Sequence, residues 1–162
     1  MAKCTYCGAS VSDRDQVCSY CGTPNPAFQP ATDVVNVLLE QGMEAYRQER
    51  YAQAIERFRQ AIAQDPQVFN AYFYLAASLS ALGRDREAIE AMKKAQKVRP
   101  SSSVTYYNLA LLYRRIGRAR EARKCLEDAL RRVDADVALE SPEKMRQKIE
   151  RELRDLERRG GR

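Results

Sequence analysis

Four of the chain's five cysteines lie within CTYCGASVSDRDQVCSYCG, residues 4–22, as two Cys-x-x-Cys-Gly units. Thiolates at such spacing either cycle between dithiol and disulfide or ligate a metal. Each pair suits a tight turn with both sulfurs facing one ion. Gly8 and Gly22 follow the second cysteine of each pair, and there a residue without Cβ lets the backbone fold back so that its amides approach the thiolates. Four sulfurs in a tetrahedron suit zinc and leave no position for an activated water. The spacing therefore predicts one structural Zn²⁺ on Cys4, Cys7, Cys18 and Cys21. A thiol redox role needs a reactive pair, which four thiolates committed to a metal do not offer. Cys125, between Lys124 and Leu126, reads as an ordinary small residue of a helix.

Other chemistries have less support. The chain contains no histidine, so hydrolysis by a Ser-His or Cys-His pair is excluded and a non-enzymatic role is expected. The opening MAKCTYCG lacks the apolar stretch of a signal peptide, and no run approaches the roughly 18 apolar residues of a membrane span. The expectation is a cytoplasmic protein without a membrane partner, whose thiols stay reduced, which disfavours a disulfide framework. Against 22 acidic residues stand 28 Lys and Arg, a formal charge of +6. Four thiolates and one Zn²⁺ lower this to about +4, too mild to mark a nucleic-acid binder by itself. Within the cysteine module Lys3 and Arg14 are offset by Asp13 and Asp15, whereas a phosphate-binding surface needs clustered cations. Tyr6 and Tyr20 hold equivalent places in the two pairs; they are expected to cover the metal site, with stacking on a base as the alternative. The module resembles the short zinc ribbons that open many bacterial proteins, over residues 3–23. As a domain it is assigned 1–23.

A stretch rich in proline follows, TPNPAFQPATD, which keeps the chain extended at roughly 3 Å per residue. Residues 24–34 are assigned as linker, with Phe28 as a candidate to dock on the neighbouring domain and Thr32 or Asp33 as an N-cap for the next helix. Beyond it the composition leans helical, with Ala, Leu, Glu, Arg and Gln abundant.

From Val35 one pattern recurs every 34 residues. Ala54, Ala88 and Ala122 keep this step, as do Ala61, Ala95 and Ala129; Phe58, Met92 and Leu126; Gly42, Ala76 and Ala110; and Pro66 with Pro100. In ERYAQAIERFRQAI the apolar residues follow spacings of three and four, one buried helical stripe. Small residues where helices cross, and a proline closing each unit, resemble the tetratricopeptide repeat. The resemblance implies an all-α solenoid of three repeats over 35–136 (35–68, 69–102 and 103–136). Repeat one departs from the pattern with Gln41, Ala45 and Glu49, the last in place of a turn glycine, and repeat three ends on Asp134 rather than proline. SPEKMRQKIERELRDLERR begins with Ser141 as N-cap and Pro142 at the first helical position. Its stripe of Met145, Ile149, Leu153 and Leu156 resembles the capping helix of such arrays, assigned 137–159, with a solvated charged face and a frayed tail at 160–162; a self-associating helix is the alternative.

In tetratricopeptide proteins the first helix of each repeat lines a concave groove, and the resemblance carries that role onto particular residues here. Repeat one supplies Asn36, Leu39, Met43 and Tyr46; repeat two Asn70, Phe73 and Tyr74; repeat three Tyr107, Asn108, Leu111, Arg114 and Arg115. The aromatic and apolar members are more than a solvated face needs, the amides suit a peptide backbone, and the arginines favour an acidic ligand end. The carboxylate clamp of the family's co-chaperones is absent, because Leu39, Met43, Tyr74, Val104 and Asn108 stand at its positions. The expected function is a non-catalytic adaptor or scaffold that binds a partner protein or peptide in the groove, with the ribbon as a second contact. The alternative is a nucleic-acid-associated regulator using the ribbon and the basic surface of the repeats. No oligomeric state is read from the sequence.

Overall fold

The computed structural model describes residues 2–11, 17–18, 20–25 and 31–160. A two-stranded antiparallel hairpin, β1 (Ala2–Lys3) and β2 (Ser10–Val11), opens the chain. Seven helices follow among the described residues: α1 (Ala31–Arg47), α2 (Tyr51–Gln64), α3 (Phe69–Ala81), α4 (Asp85–Val98), α5 (Ser103–Arg115), α6 (Ala119–Arg132) and α7 (Pro142–Gly160). A 3₁₀ turn, Val133–Ala135, follows α6. Helices α1/α2, α3/α4 and α5/α6 form three successive hairpins stacked side by side, the all-α repeat architecture expected from the period.

The recurring small residues account for the stacking. Ala54, Ala61, Ala88, Ala95, Ala122 and Ala129 are all 0% exposed, so each helix approaches its neighbours at the distance a methyl group allows. At Gly42 even a methyl is too large: a Cβ there would lie 2.6 Å from Cε1 of Phe58. Repeats two and three place alanine at this register and a slimmer side chain, Met92 or Leu126, at the register of Phe58. Helices α2 and α4 each end two residues before a proline, at Gln64 and Val98, as expected for a residue that lacks the amide of the helical ladder.

The turn inside each hairpin needs a residue with positive φ. Gly83 (φ 74°) and Gly117 (φ 77°) supply it in repeats two and three, and Glu49 (φ 58°) occupies the same register in repeat one. The backbone closes alike in all three: the amides of Arg50, Arg84 and Arg118 donate to Ala45, Leu79 and Tyr113 at 2.8–2.9 Å. Glu49 therefore replaces the turn glycine without changing the turn, at the cost of left-handed strain of about 1 kcal/mol.

Two local expectations are corrected. Helix α1 starts at Ala31, so Thr32 and Asp33 lie inside it rather than capping it, and residues 31–34 are helix rather than linker; the last proline of that stretch is Pro30, and every residue of α1 has an amide to donate. Phe28 lies outside the described residues. The end of repeat three, where proline is missing, is held by Asp136 instead. Its buried carboxylate accepts from the amide and hydroxyl of Ser103 at 2.7 and 2.8 Å, so it caps the start of α5 from 33 residues away. Helix α7 then packs on α6 through Ile149 and Leu156, with Met145 and Leu153 beside them, the stripe expected of a capping helix.

Candidate functional site

The cysteine module is built twice on one plan. In the first half the amide of Cys4 donates to Ala9 (2.8 Å) and that of Gly8 to Cys4 (2.9 Å). In the second the amide of Cys18 donates to Thr23 (2.9 Å) and that of Gly22 to Cys18 (2.8 Å). Gly8 and Gly22 have φ of 74° and 69°, the left-handed conformation that lets each turn fold under its own sulfurs. The four Sγ atoms lie within 4.8 Å of one another. Cys4 to Cys21 is 3.7 Å and Cys7 to Cys18 is 3.6 Å. A tetrahedron with metal–sulfur bonds of about 2.3 Å has edges of about 3.8 Å, so the sulfur arrangement fits a metal ion and stands well beyond the roughly 2.05 Å of a disulfide.

The surroundings favour the thiolate at two of the four cysteines, Cys21 and Cys4. Hydrogen bonds from the Thr23 hydroxyl and amide to Cys21, the hydroxyl 3.0 Å from the sulfur, bring its pKa down to about 6. Backbone amides of Cys7 and Tyr6 lower that of Cys4. The Ala9 amide acts the same way on Cys7, but the neighbouring thiols, Cys21 foremost, together with burial, outweigh it and push Cys7 up to about 12. Tyr6 and Tyr20 do not cover the site: both are 81% exposed, because the turns that aim the sulfurs inward aim the residue before each second cysteine outward.

The second site lies where α1, α3 and α5 meet, on the side the resemblance expects to be concave. A pocket of about 400 Å³ brings together six residues expected there: Tyr46 from α1, Phe73 from α3, and Asn108, Leu111, Arg114 and Arg115 from α5. Its remaining wall is made by Ala76, Ala77, Ser80 and Ala81 of α3, with Met92 and Leu112. The small residues make the space and the aromatic rings wall one side. Tyr74 is half-buried and belongs to the packing instead, stacked on Phe58 at 5.9 Å and edge-on to Tyr46 and Phe73 at 5.9 and 5.6 Å. Leu39 and Met43 also pack against the core. Asn36 and Asn70 are exposed and do not line the pocket.

The charges differ from expectation. Arg114 pairs with Glu152 of α7. Arg115 pairs with Asp85 of α4 at 3.3 Å and donates to the Ser80 hydroxyl at 2.6 Å. Both cations are therefore neutralised within the chain, and the basic end expected for the groove is absent. Asn108 donates one of its two amide hydrogens back to the Val104 carbonyl of its own helix at 2.8 Å. Tyr107 sits half-buried beside this corner, its phenol pKa raised first by burial and then by the charge of Glu152. Glu152 itself was hidden in the charge alternation of the last helix, read as a solvated face, yet it is 9% exposed. Only its i−3 and i+4 neighbours, Ile149 and Leu156, signal that it borders the buried stripe.

Comparison with known proteins agrees with both modules. Tetratricopeptide-repeat models match residues 39–103 and 104–132, and a zinc-ribbon domain model matches residues 1–25. No curated protein sequence matches the chain. Among solved structures, the chain is similar to the type III secretion translocator chaperone SycD of Yersinia enterocolitica, with a TM-score of 0.75 and 15% identity over 83% of this chain and 90% of that one. It is similar also to SycD in complex with a peptide of the translocator YopD (TM-score 0.72, 16% identity, 79% and 95% covered). The tetratricopeptide domain of Sgt2 from Aspergillus fumigatus is a further relative in fold (TM-score 0.62, 21% identity, 76% and 82% covered). Among the described residues, no helix is long and apolar enough to cross a membrane.

Proposed function

Because this chain belongs to the tetratricopeptide-repeat family and opens with a zinc-ribbon domain, we propose that it is a non-catalytic cytoplasmic adaptor whose concave pocket takes an apolar side chain of a partner peptide. The observation that carries this reading is the pocket between α3 and α5, walled by Tyr46, Phe73 and Leu111 over the small residues Ala76 and Ala77. Its two arginines are satisfied by Glu152 and Asp85, so the reading favours an uncharged anchor residue over an acidic chain end. The fold relative that binds a translocator peptide supports a peptide as the class of ligand.

In the same reading Cys4, Cys7, Cys18 and Cys21 hold one Zn²⁺, whose part is to tie two turns together. The ribbon then offers Tyr6 and Tyr20 as a second contact. The nucleic-acid alternative is disfavoured by how many cations are already paired: Arg84 with Glu87, Lys93 with Glu90, Arg118 with Glu121 and Arg123 with Glu157.

The test is co-purification of a partner, followed by titration of that partner against wild type, Phe73→Ala and Ala77→Phe at two salt concentrations. Removing the aromatic wall or plugging the pocket is expected to weaken binding about tenfold or more, with modest salt dependence. Unchanged affinity of both variants overturns the pocket. A steep fall with salt would point to a polyanion instead.

A further inference from the structure

Helix α3 shows Phe73, Ala77 and Ser80 to the concave pocket, but it shows Tyr72, Leu75 and Leu79 to a different space. These three, with Ile62 of α2 and Ala91 of α4, line a valley of about 450 Å³ between α2 and α4. Past Tyr72 and Lys94 a further pocket of about 220 Å³ begins, reaching Lys97 and Val98. The valley is elongated: Arg86, Lys94 and Lys97 follow one edge of α4, and the 11 steps from the first to the last span about 16 Å of helix.

The charges along this valley are unequal in their commitments. Glu87 accepts both guanidinium N–H groups of Arg84, at 2.7 and 2.6 Å, and Glu90 accepts from Lys93 at 3.1 Å. Arg59 reaches Glu87 only at 3.9 Å. Among the described residues, Arg86, Lys94 and Lys97 make no ion pair. The acidic residues are thus neutralised by neighbours while three cations along the edge have no counter-charge.

We propose that the α2–α4 valley docks an acidic amphipathic helix of a partner protein. Its apolar side chains rest on the Tyr72, Leu75 and Leu79 floor, and its carboxylates meet Arg86, Lys94 and Lys97. An apolar floor with a basic edge about three turns long matches such a helix in shape and in charge. A nucleic acid fits less well. The valley is lined mainly by apolar side chains, Ile62, Tyr72, Leu75, Leu79 and Ala91, and its single aromatic, Tyr72, is 8% exposed and offers no face for a base to stack on. This docking site is independent of the concave pocket.

The test titrates a fluorescent peptide of 14 residues, the length of α4, into the full chain. Leucines stand at helical spacing and glutamates between them. Saturable binding is expected, about tenfold weaker for the doubly reversed Arg86→Glu, Lys94→Glu variant and unchanged for Ala77→Phe. The same peptide with lysine for glutamate is expected not to bind. Should the reversed variant lose its helical signal, Arg86→Gln with Lys94→Gln replaces it, with a loss of about threefold. The proposal is overturned by absence of binding, by equal binding of the lysine peptide, or by insensitivity to the charge variants. It is likewise overturned if Ala77→Phe alone abolishes binding, or if only a thymidine oligonucleotide binds the valley. Failure of the concave-pocket reading would appear separately, in the partner titration with Phe73→Ala.

Discussion

At Gly42 a missing side chain is a packing requirement, because the ring of Phe58 fills the place a methyl would take. Gly42→Ala is expected to lower stability by about 2 kcal/mol, read from the denaturant midpoint. The other repeats show how the clash is relieved, with alanine facing the register of methionine or leucine. Phe58→Met is therefore expected to recover more than half of that loss when combined with Gly42→Ala. If the two changes simply add, the contact is not what limits the site. The 34-residue period made this exchange of volumes visible in sequence, since Gly42 and Phe58 sit in register with Ala76 and Met92. The period exposed Glu49 as a departure from the expected glycine, but not that it takes the glycine's conformation. A backbone closed by three hydrogen bonds in common with the other turns overrides the local preference of one side chain.

Among elements, the cysteine module and the helical hairpins rest on different forces. Among the described residues, the buried apolar residues of the module are Cys4, Val11 and Cys18, a small core for a segment of about 25 residues. A metal bound by the four cysteines would supply that stability. Metal analysis of the purified protein is expected to find one zinc per chain. Removing it with a chelator, or replacing Cys18 by serine, is expected to dissolve the module while the far-ultraviolet helical signal of α1–α7 remains. Loss of the helical signal as well would make the module part of the repeat core. The cysteine spacing alone was enough to identify this element, because ligands that close one small ring of chain must be near in sequence. The cap on α5 was not legible in the same way: Asp136 meets Ser103 across 33 residues, and no local pattern connects them.

Across the whole molecule, α7 both closes the stack and sets the electrostatics of the concave pocket. Its Glu152 neutralises Arg114 from 38 residues away, so the helix that ends the array also occupies the cation a ligand carboxylate would need. Glu152→Gln is expected to cost about 1–2 kcal/mol of stability, given that Arg114 is partly solvated, and to leave a positive charge in the pocket. The measurable consequence is a gain in affinity for peptides ending in a free carboxylate over their amidated counterparts. Equal affinity for the two would place Arg114 outside the ligand's reach.

By itself the sequence determined the helical repeat, its three units and the cluster of four cysteines. These depend on spacings of three, four and thirty-four residues, which persist whatever the chain does elsewhere. Only the tertiary structure decided which charges are satisfied, which aromatic rings pack and which stand in solvent. Arg114 and Arg115 looked available and are paired; Glu152 looked solvated and is buried; Tyr6 and Tyr20 looked like covers and are exposed. Pairing and burial are settled over distances of about 4 Å between side chains that the chain order keeps far apart, and that proximity exists only once the helices have stacked.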